Sequence, residues 1–330
     1  MSLKRIAING FGRIGRLTLR QLLKNDSVEV VAVNDLTDTK TLAHLFKYDS
    51  AQGQFDGTVE HSEHSLVING KLIKVSAIRN PAELPWKELE VDLVLECTGL
   101  FRTQEKAAMH IEAGARRVIL SAPAKTPGIP TIVRGINDSI VQATDQIISN
   151  ASCTTNCLAP LVHVINNNWG LKQGFMSTVH AYTGNQRLQD SPHSDLRRGR
   201  AAAVNMIPTT TGAAKALELV IPSVKGKITA SAIRVPVPTG SLVELVCIVE
   251  ATTTVEDVNR IFRITADSDL KGILQYTEDP IVSSDIVSNP HSSIFDAGLT
   301  MVSGNMLKVT SWYDNEAGYS ARLAEMAIEL

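Results

Sequence analysis

Short apolar runs alternate with helix-like apolar spacing through the first half of the chain. The apolar runs fall at residues 6–8, 28–33, 93–97, 118–120 and 147–148, and the helix-like stretches lie near 13–24 and 103–113. Strands that alternate with helices form a mainly parallel sheet, because each crossover helix packs against a face of that sheet. The first half is therefore predicted to be an α/β domain with a doubly wound parallel sheet.

The second half has longer stretches in which every second residue belongs to one face. One such set is Ile228, Ala230 and Ala232, and the other is Leu242, Glu244, Val246 and Ile248. A period of two over long strands is typical of an antiparallel sheet with one covered face. We therefore expect an α+β domain with a mainly antiparallel sheet, in which these positions face the core.

The change of pattern near residue 150 divides the chain into two predicted domains. The first domain is placed at 1–151 and the second at 152–315. An apolar stripe with helical spacing follows near the C-terminus, at Tyr319, Leu323, Met326 and Leu330. This stripe predicts an amphipathic helix at about 316–330 that packs back on the first domain.

Composition and charge exclude several classes of protein. The 330 residues carry 32 Lys and Arg against 34 Asp and Glu, a formal net charge of −2, which argues against broad electrostatic binding to nucleic acid. The first residues lack the apolar core of a signal peptide, and no stretch approaches the roughly 18 apolar residues of a membrane helix. Four cysteines without a framework of paired spacings indicate neither disulfides nor zinc. We expect a cytoplasmic protein without a nucleic-acid, membrane or metal partner.

A glycine turn carries the first candidate chemistry. Gly10-Phe11-Gly12-Arg13-Ile14-Gly15 follows the first apolar run and opens a helix-like stretch, as in the Rossmann dinucleotide-binding turn. In that turn Gly10 allows the tight bend, Gly12 lets a pyrophosphate approach the backbone, and Gly15 lets helix and strand pack closely. Asp35 ends the next apolar run 20 residues later, where a carboxylate binds ribose hydroxyls and repels a 2′-phosphate. The sequence therefore predicts a Rossmann-type domain that binds NAD in preference to NADP.

Cys153 is the candidate nucleophile. It lies in the polar segment Ser152-Cys153-Thr154-Thr155-Asn156 and precedes a helix-like stretch from Leu158. On the first turn of a helix, the dipole and the free amide groups would lower the pKa of the thiol. Pro160 leaves two arrangements open, because the helix either continues through this residue with a kink or begins near Leu158 and leaves Cys153 in the preceding loop.

His180 is the candidate base. It ends the apolar run at 175–179 and opens a polar loop, and catalytic residues are common where a strand ends in a loop. The sequence does not place His180 beside Cys153, and a structural histidine is an equal interpretation. Cys157 lies one helical turn after Cys153 and permits a redox pair or two metal ligands, but no second pair of ligands accompanies them.

Cationic and hydroxyl side chains gather in later segments. Arg197, Arg198 and Arg200 concentrate three positive charges, and Thr209-Thr210-Thr211-Gly212 offers hydroxyls beside a glycine amide. Arg234 closes a further strand-like run. Such groups bind phosphate. The alternative interpretation is a solvated arginine face or salt bridges at an interface.

Five segments of the chain together resemble the phosphorylating glyceraldehyde-3-phosphate dehydrogenases. They are Asn9-Gly10-Phe11-Gly12-Arg13-Ile14-Gly15-Arg16, Asn34-Asp35, Ser152-Cys153-Thr154-Thr155-Asn156, His180 and Trp312-Tyr313-Asp314-Asn315-Glu316. The resemblance spans essentially the whole chain, and the Cys-Thr-Thr-Asn segment is the most specific of the five. It implies NAD-dependent oxidative phosphorylation of D-glyceraldehyde 3-phosphate to 1,3-bisphosphoglycerate through a Cys153 thioester, with His180 as the base.

The resemblance also implies which residues bind the cofactor and the two anions. NAD would be bound by Gly10, Phe11, Gly12, Arg13, Ile14, Gly15, Asp35, Arg79, Thr98, Ser121 and Asn315, of which Asn315 would hold the nicotinamide carboxamide. The substrate phosphate would be bound by Thr183 and Arg234. Inorganic phosphate would be bound by Ser152, Thr154, Arg198, Thr211 and Gly212, with Arg234 able to reach both anions.

The polar loop at 182–203 matches the family segment that lies at the subunit interface, which implies a homotetramer. Ser191-Pro192 replaces the Leu-Pro of many NAD-specific members and weakens the prediction of strict NAD selectivity. Asn185 lies where relatives differ and is left out of the predicted site. Two alternatives stay open: an erythrose-4-phosphate dehydrogenase on the same fold, and a non-catalytic nucleotide-binding or thiol-sensing protein.

Overall fold

The computed structural model describes residues 3–330, whose contacts divide the chain into two units. Unit 1 runs to Ile132 and includes Ser139–Ala151 and Ser320–Leu330. Unit 2 comprises Val133–Asp138 and Ser152–Tyr319. Within residues 3–330, no helix is both long enough and apolar enough to cross a membrane.

Unit 1 is built on a single eight-stranded sheet. Its strands are β1 (Lys4–Asn9), β2 (Val28–Asn34), β3 (Val59–Ser62), β4 (Ser65–Ile68), β5 (Lys71–Ser76), β6 (Leu93–Glu96), β7 (Arg117–Leu120) and β8 (Ile147–Ser149), and its helices are α1 (Arg13–Leu22), α2 (Thr39–Lys47) and α3 (Gln104–Glu112). The strand order is β3-β4-β5-β2-β1-β6-β7-β8, and the pairs from β5 to β8 are parallel. β3 and β4 add an antiparallel edge that the apolar pattern does not predict.

Both faces of this sheet are covered by helices. Ile6 and Ile8 of β1 pack in one apolar cluster with Leu19 of α1. Ala7, which points to the opposite face, packs in a second cluster with Ala107 of α3. A strand buried on both faces is apolar at consecutive positions, which is why the N-terminal run shows no alternation. The predicted Rossmann-type, doubly wound architecture is therefore confirmed.

Unit 2 is built on a second eight-stranded sheet. Its strands are β9 (Leu171–Ala181), β10 (Ile207–Thr209), β11 (Ile228–Val235), β12 (Ser241–Val249), β13 (Leu274–Thr277), β14 (Ser293–Asp296), β15 (Met301–Ser303) and β16 (Met306–Tyr313), and its helices are α4 (Cys153–Trp169), α5 (Ala213–Val220) and α6 (Val255–Asp267). The order is β10-β11-β9-β12-β16-β14-β13, with β15 paired to β16. β11 with β9 and β13 with β14 are parallel, and the other pairs are antiparallel. The predicted mainly antiparallel sheet is confirmed.

The alternation predicted for β12 is present, but the positions predicted to face the core are not the buried ones. The buried positions are Ser241, Val243, Leu245, Cys247 and Val249, whereas Leu242, Glu244, Val246 and Ile248 are only partly buried. This strand carries large apolar side chains on both faces. A period of two therefore identifies the strand but does not tell which face the rest of the unit covers.

The last helix, α7 (Ala317–Glu329), contributes to the core of unit 1 from Ser320 onward. Leu323 belongs to the apolar cluster that covers one face of the sheet. Lys4 Nζ donates hydrogen bonds to the carbonyls of Ala327 (3.2 Å) and Ile328 (2.7 Å). These bonds stabilise the helix end, because its last carbonyls lack helical partners and carry partial negative charge.

Candidate active site and cofactor-binding turn

Cys153 is the first residue of α4. Ser152 caps this helix in extended conformation, and its Oγ accepts a hydrogen bond from Thr155 N (3.1 Å). The helix continues through Pro160 to Trp169. Of the two arrangements left open by the sequence, the structure therefore has the one in which Cys153 lies on the first turn, where free amide groups point toward an anion.

His180 lies beside Cys153. Its Nε2 is 3.5 Å from Cys153 Sγ, and it is 3% exposed near the end of β9. The two residues are 27 positions apart and come together because the strand that follows α4 brings His180 back to the start of that helix. A thiol in hydrogen-bond reach of an imidazole is the arrangement of an activated cysteine nucleophile.

Burial dominates the electrostatics of this pair. Burial and the adjacent charge of Arg234 lower the pKa of His180 to about 3. Burial raises the pKa of the Cys153 thiol, and it outweighs Arg234 and the hydrogen bonds at Thr154, which lower it. The backbone hydrogen bonds at the helix start do lower this thiol pKa, as expected, but desolvation is the larger effect and the net shift is upward.

Arg234 lies against His180 from the neighbouring strand. The two residues are register partners of the parallel pair β11 and β9. Arg234 Nη1 is 2.6 Å from His180 Nδ1 and donates to the carbonyl of Ala181 (3.1 Å). Its buried Nε has no hydrogen-bond partner among the described residues. The guanidinium therefore keeps donor capacity for an anion close to the reactive pair.

Tyr313 supports the pair from β16, and the sequence does not reveal this role. Its hydroxyl lies 2.9 Å from the hydroxyls of Thr154 on α4 and Thr178 on β9. Its ring also meets the His180 ring edge to face, with centroids 5.9 Å apart. These partners are 159 and 135 positions away, so no local pattern indicates them, although Tyr313 belongs to one of the family-like segments.

The predicted anion-binding residues at 198–212 form a second group. Arg198 donates from Nε to Thr209 Oγ1 (2.9 Å), from Nη1 to Asn185 Oδ1 (2.8 Å) and from Nη2 to the carbonyl of Thr210 (3.2 Å). Gly212 caps α5. Arg198 is thereby held at the loop that leads into this helix. Asn185, which the prediction left out, is one of the groups that position Arg198.

The remaining predicted anion ligands lie in different settings. Thr211 Oγ1 accepts from Ala213 N (3.2 Å) at the start of α5. Thr183 lies on the loop after β9, where its backbone N–H donates to Gln186 Oε1 (3.2 Å). Arg200 forms an exposed ion pair with Asp190 (2.8 Å), which fits the salt-bridge interpretation for that residue.

The glycine turn fits a dinucleotide. Gly10 has a φ of +94°, and a Cβ on it would lie 2.7 Å from Thr98 N. A Cβ on Gly15 would lie 2.3 Å from the Gly10 carbonyl oxygen, so both positions require glycine. No heavy atom lies within 4 Å of a Cβ built on Gly12, which caps α1 and leaves its backbone open to a pyrophosphate.

Asp35 closes the turn from the end of β2. Its Oδ2 accepts from Phe11 N (2.8 Å) and its Oδ1 from Thr37 N (3.0 Å). Phe11 itself is 1% exposed, so its side chain packs in the core. Arg13 pairs with the buried Asp49 (2.6 Å).

The other four predicted cofactor-binding residues of unit 1 are Ile14, Arg79, Thr98 and Ser121. Ile14 is half-buried against the apolar cluster, and Arg79 is exposed on the loop after β5. Thr98 and Ser121 both bond to Glu96, Thr98 through its N–H to the carboxylate (2.8 Å) and Ser121 through its N–H to the backbone carbonyl (3.0 Å). The structure thus brings Thr98 and Ser121 to the same strand end.

The sequence analysis does not predict a row of buried polar side chains next to the glycine turn. Asn9 Nδ2 donates to Glu96 Oε2 (2.6 Å), and His110 Nε2 lies 3.0 Å from the same oxygen. Trp86 Nε1 donates to His110 Nδ1 (3.0 Å). His110 therefore carries its proton on Nε2 and donates it to Glu96. The Thr98 N–H and hydroxyl donate to the other oxygen of Glu96, so four donors hold one buried carboxylate.

Asn315 is held by its side-chain oxygen in unit 2. Its Oδ1 accepts from Ser241 Oγ (2.9 Å) and Thr239 Oγ1 (3.4 Å). Ser241 Oγ also accepts from the backbone N–H of Ala181, the residue after His180 (3.1 Å). Ser241 therefore positions both Asn315 and the end of β9, and the Asn315 amide group remains as a donor of fixed orientation.

A Rossmann unit with an open glycine turn and a second unit with a cysteine–histidine pair are typical of an NAD-dependent dehydrogenase. Two protein-family models match the chain: "Glyceraldehyde 3-phosphate dehydrogenase, NAD binding domain" over residues 4–104, and "Glyceraldehyde 3-phosphate dehydrogenase, C-terminal domain" over residues 152–315. The chain belongs to the glyceraldehyde-3-phosphate dehydrogenase family, and it is an NAD-dependent enzyme.

Curated relatives match over nearly the full length of the chain. Glyceraldehyde-3-phosphate dehydrogenase of Priestia megaterium is 56% identical over 325 residues. The proteins of the same name from Streptomyces coelicolor and Geobacillus stearothermophilus are each 54% identical, over 328 and 325 residues. Each alignment covers 98% of this chain and 97% of the relative.

Proposed function

We propose that this chain oxidises D-glyceraldehyde 3-phosphate with NAD and transfers the acyl group to inorganic phosphate, giving 1,3-bisphosphoglycerate in glycolysis or gluconeogenesis. The observation that carries this proposal is the contact between Cys153 Sγ and His180 Nε2 (3.5 Å) at the start of α4, with Arg234 adjacent. The names of the relatives support the choice of substrate.

The first half of the reaction builds a thioester on Cys153. The sulfur attacks the aldehyde carbon as His180 takes the thiol proton, and the free amide groups at the start of α4 stabilise the oxygen that becomes negative. His180 returns this proton to the oxygen, which gives a hydroxyl group, and takes it back as the carbon is oxidised. NAD, when bound, accepts the hydride that leaves this carbon. Cys153 is left carrying the acyl group as a thioester.

The second half of the reaction transfers the acyl group. Inorganic phosphate attacks the thioester carbon, the carbon–sulfur bond breaks, and the Cys153 thiolate is the leaving group. Two anions therefore need binding groups at this site. We assign the substrate phosphate to Thr183 and Arg234, and inorganic phosphate to Ser152, Thr154, Arg198, Thr211 and Gly212, with Arg234 within reach of both.

We assign NAD binding to the glycine turn and its neighbours. The residues that would hold it are Gly10, Phe11, Gly12, Arg13, Ile14, Gly15, Asp35, Arg79, Thr98 and Ser121, together with Asn315 for the nicotinamide carboxamide. Asp35 favours NAD, because its carboxylate would repel the 2′-phosphate of NADP. Arg79, exposed on the loop after β5, is a cation of this group that would attract a 2′-phosphate, so we expect a preference rather than strict exclusion.

We also propose a homotetramer. The loop between β9 and β10 exposes large apolar side chains, among them Leu188 (82%) and Leu196 (85%), with Val204 and Met206 near its end. Several large apolar side chains exposed on one loop favour a subunit interface. The predicted cytoplasmic location stays a prediction.

The proposal is tested by steady-state turnover with two sugar phosphates and two cofactors. NADH formation from glyceraldehyde 3-phosphate is measured with and without inorganic phosphate, and erythrose 4-phosphate and NADP are run in parallel. We expect turnover that depends on phosphate. The value of kcat/KM should be at least about 10-fold higher for glyceraldehyde 3-phosphate, because the two substrates differ by one carbon unit and an enzyme site discriminates a difference of that size by about this factor or more. NADP should give lower kcat/KM than NAD.

Three outcomes would contradict the assignment. Higher kcat/KM for erythrose 4-phosphate would favour the dehydrogenase of that sugar. Turnover that does not respond to phosphate would exclude phosphorolysis of an acyl group. No turnover with either aldehyde, in protein whose Cys153 reacts with iodoacetamide, would favour the thiol-sensing alternative.

A further inference from the structure

The guanidinium of Arg198 is held by three of its nitrogens. Nε donates to Thr209 Oγ1 (2.9 Å), Nη1 to Asn185 Oδ1 (2.8 Å) and Nη2 to the carbonyl of Thr210 (3.2 Å). Since Nη1 and Nη2 each carry two N–H groups, each has a second donor beyond these bonds. The orientation of these two donors therefore depends on the groups that hold the guanidinium.

Asp195 determines the direction of the bond at Nε. Thr209 Oγ1 lies 2.7 Å from Asp195 Oδ2, and a carboxylate oxygen accepts hydrogen bonds. The single proton of the Thr209 hydroxyl therefore points to Asp195. Its lone pair is left for Arg198 Nε, which donates to it. Asp195 thus makes Thr209 an acceptor for the guanidinium.

The two oxygens of Asp195 have different partners. Oδ1 accepts from the backbone N–H groups of Arg197 (2.9 Å) and Arg198 (3.4 Å), and Oδ2 accepts from Thr209. Oδ2 is 3.6 Å from Arg198 Nε, so it reaches this nitrogen mainly through the Thr209 hydroxyl. The hydrogen bond from Thr209 holds the pKa of Asp195 below its usual value, so the carboxylate is ionised at neutral pH.

The strand register brings Thr209 to the face of the sheet that carries the reactive pair. Thr209 is the partner of Ala232 on β11, two residues before Arg234, and Arg234 is the partner of His180 on β9. Partners across strands and every second residue along a strand share a face. Burial lowers the pKa of Arg234, and the charge of Arg198 adds to this effect, so the two guanidinium groups interact. An anion bound between them would relieve their repulsion.

We propose that Asp195 and Thr209 are positioning residues for inorganic phosphate: Asp195 orients the Thr209 hydroxyl, Thr209 holds Arg198 Nε, and the remaining donors of the guanidinium bind the phosphate that attacks the acyl group. The inference rests on the proposed function, which assigns inorganic phosphate to Arg198. Asp195 and Thr209 act through Arg198 and not on the anion itself. Their loss should therefore affect phosphate binding and leave the formation of the acyl group intact.

Asp195→Asn is the first test, because asparagine has one carbonyl oxygen for two tasks. When this oxygen accepts from the backbone N–H groups, the amide group donates to Thr209 and the hydroxyl proton is turned toward Arg198 Nε, so two donors meet. We expect KM for inorganic phosphate to rise at least about 10-fold, because the guanidinium is no longer held in place. KM for glyceraldehyde 3-phosphate and the rate of the NADH burst without phosphate should stay within about 2-fold of the parent values.

Two variants of Thr209 separate positioning from a general structural role. Thr209→Val removes the acceptor for Nε and should raise KM for phosphate as Asp195→Asn does, whereas Thr209→Ser keeps the hydroxyl and should stay within about 2-fold of the parent. The double variant should lose no more than about 2-fold beyond the larger single effect, because both changes act on one bond. Asp257→Asn is the matched control, since Asp257 pairs with Arg260 at the same spacing of three residues in α6.

The second measurement reads Arg198 without turnover. Phenylglyoxal modifies guanidinium groups, and tandem mass spectrometry reports each arginine separately. Phosphate should protect Arg198 of the parent chain relative to chloride at equal ionic strength, and the half-protecting concentration should be at least about 10-fold higher in Asp195→Asn. Arg116, whose side chain is 82% exposed, is the internal reference and should react at the same rate in both salts.

The inference is overturned if folded Asp195→Asn and Thr209→Val keep the parent values of KM for phosphate and of the half-protecting concentration. It is also overturned if Thr209→Ser loses as much as Thr209→Val, or if the NADH burst falls as far as phosphate binding does. The two Thr209 variants decide the question where Asp195→Asn does not fold. Phosphate that protects Arg198 without supporting turnover would refute the proposed function alone, and phosphate-dependent turnover that no variant changes would refute the inference alone.

Discussion

Replacing Cys153 with serine should lower NADH formation from glyceraldehyde 3-phosphate by at least about 10⁴-fold. A serine hydroxyl is far less acidic than a thiol, so His180 removes its proton much less readily. NAD affinity should stay within about 2-fold of the parent value, because NAD binding is assigned to the glycine turn and Asp35 of unit 1. Turnover and equilibrium NAD titration measure the two effects.

Cys157→Ser is the matched control for this variant. Cys157 lies one turn further along α4, is fully buried, and has its sulfur 3.8 Å from the carbonyl of Ser311. The serine hydroxyl can use the same carbonyl, so turnover should stay near the parent value. Cys153→Ser protein that turns over at more than about a hundredth of the parent rate, with no contaminating parent enzyme, would refute the nucleophile assignment.

Replacing Glu96 with alanine should lower the free energy of unfolding by about 3–5 kcal/mol. The change leaves the donors of Asn9, His110 and Thr98 buried without their shared acceptor. It should also weaken NAD binding, because Thr98 N lies against Gly10, where the turn has no room to shift. Urea unfolding and NAD titration measure the two effects.

Glu112→Ala is the control for the Glu96 variant. Glu112 is an exposed carboxylate at the end of α3, the helix that carries His110. Its removal should change stability by less than about 0.5 kcal/mol. A loss of less than about 1 kcal/mol for Glu96→Ala would mean that the polar row contributes little and that water replaces the carboxylate.

The sequence predicts the features that short contiguous stretches encode. Two local reasons require glycine in the turn, the positive φ of Gly10 and the closeness of Gly15 to the Gly10 carbonyl, and Asp35 follows at the end of the next strand. The parallel sheet follows from apolar runs that alternate with helices. The position of Cys153 at a helix start was one of two possibilities, and only the structure shows that the helix passes Pro160.

The contacts that make the site reactive are not local. His180 meets Cys153 across 27 positions, and Arg234 meets His180 across 54, because two parallel strands bring them into register. The hydrogen bonds that join Glu96, His110 and Trp86 link separate parts of the chain, and no sequence pattern around these residues indicates them. The pKa of Cys153 depends on how deeply the thiol is buried, which no spacing of residues reveals.

The central claim is that the reaction passes through an acyl group on Cys153. The most direct test mixes the enzyme with glyceraldehyde 3-phosphate and NAD in phosphate-free buffer, quenches with acid and maps the peptides by mass spectrometry. A thioester mechanism predicts one phosphoglyceroyl group on the Cys153 peptide, about one NADH per active site, and loss of the group when inorganic phosphate is added before the quench. NADH formed with no acyl group on Cys153, or with that group on Cys97, Cys157 or Cys247, would contradict it.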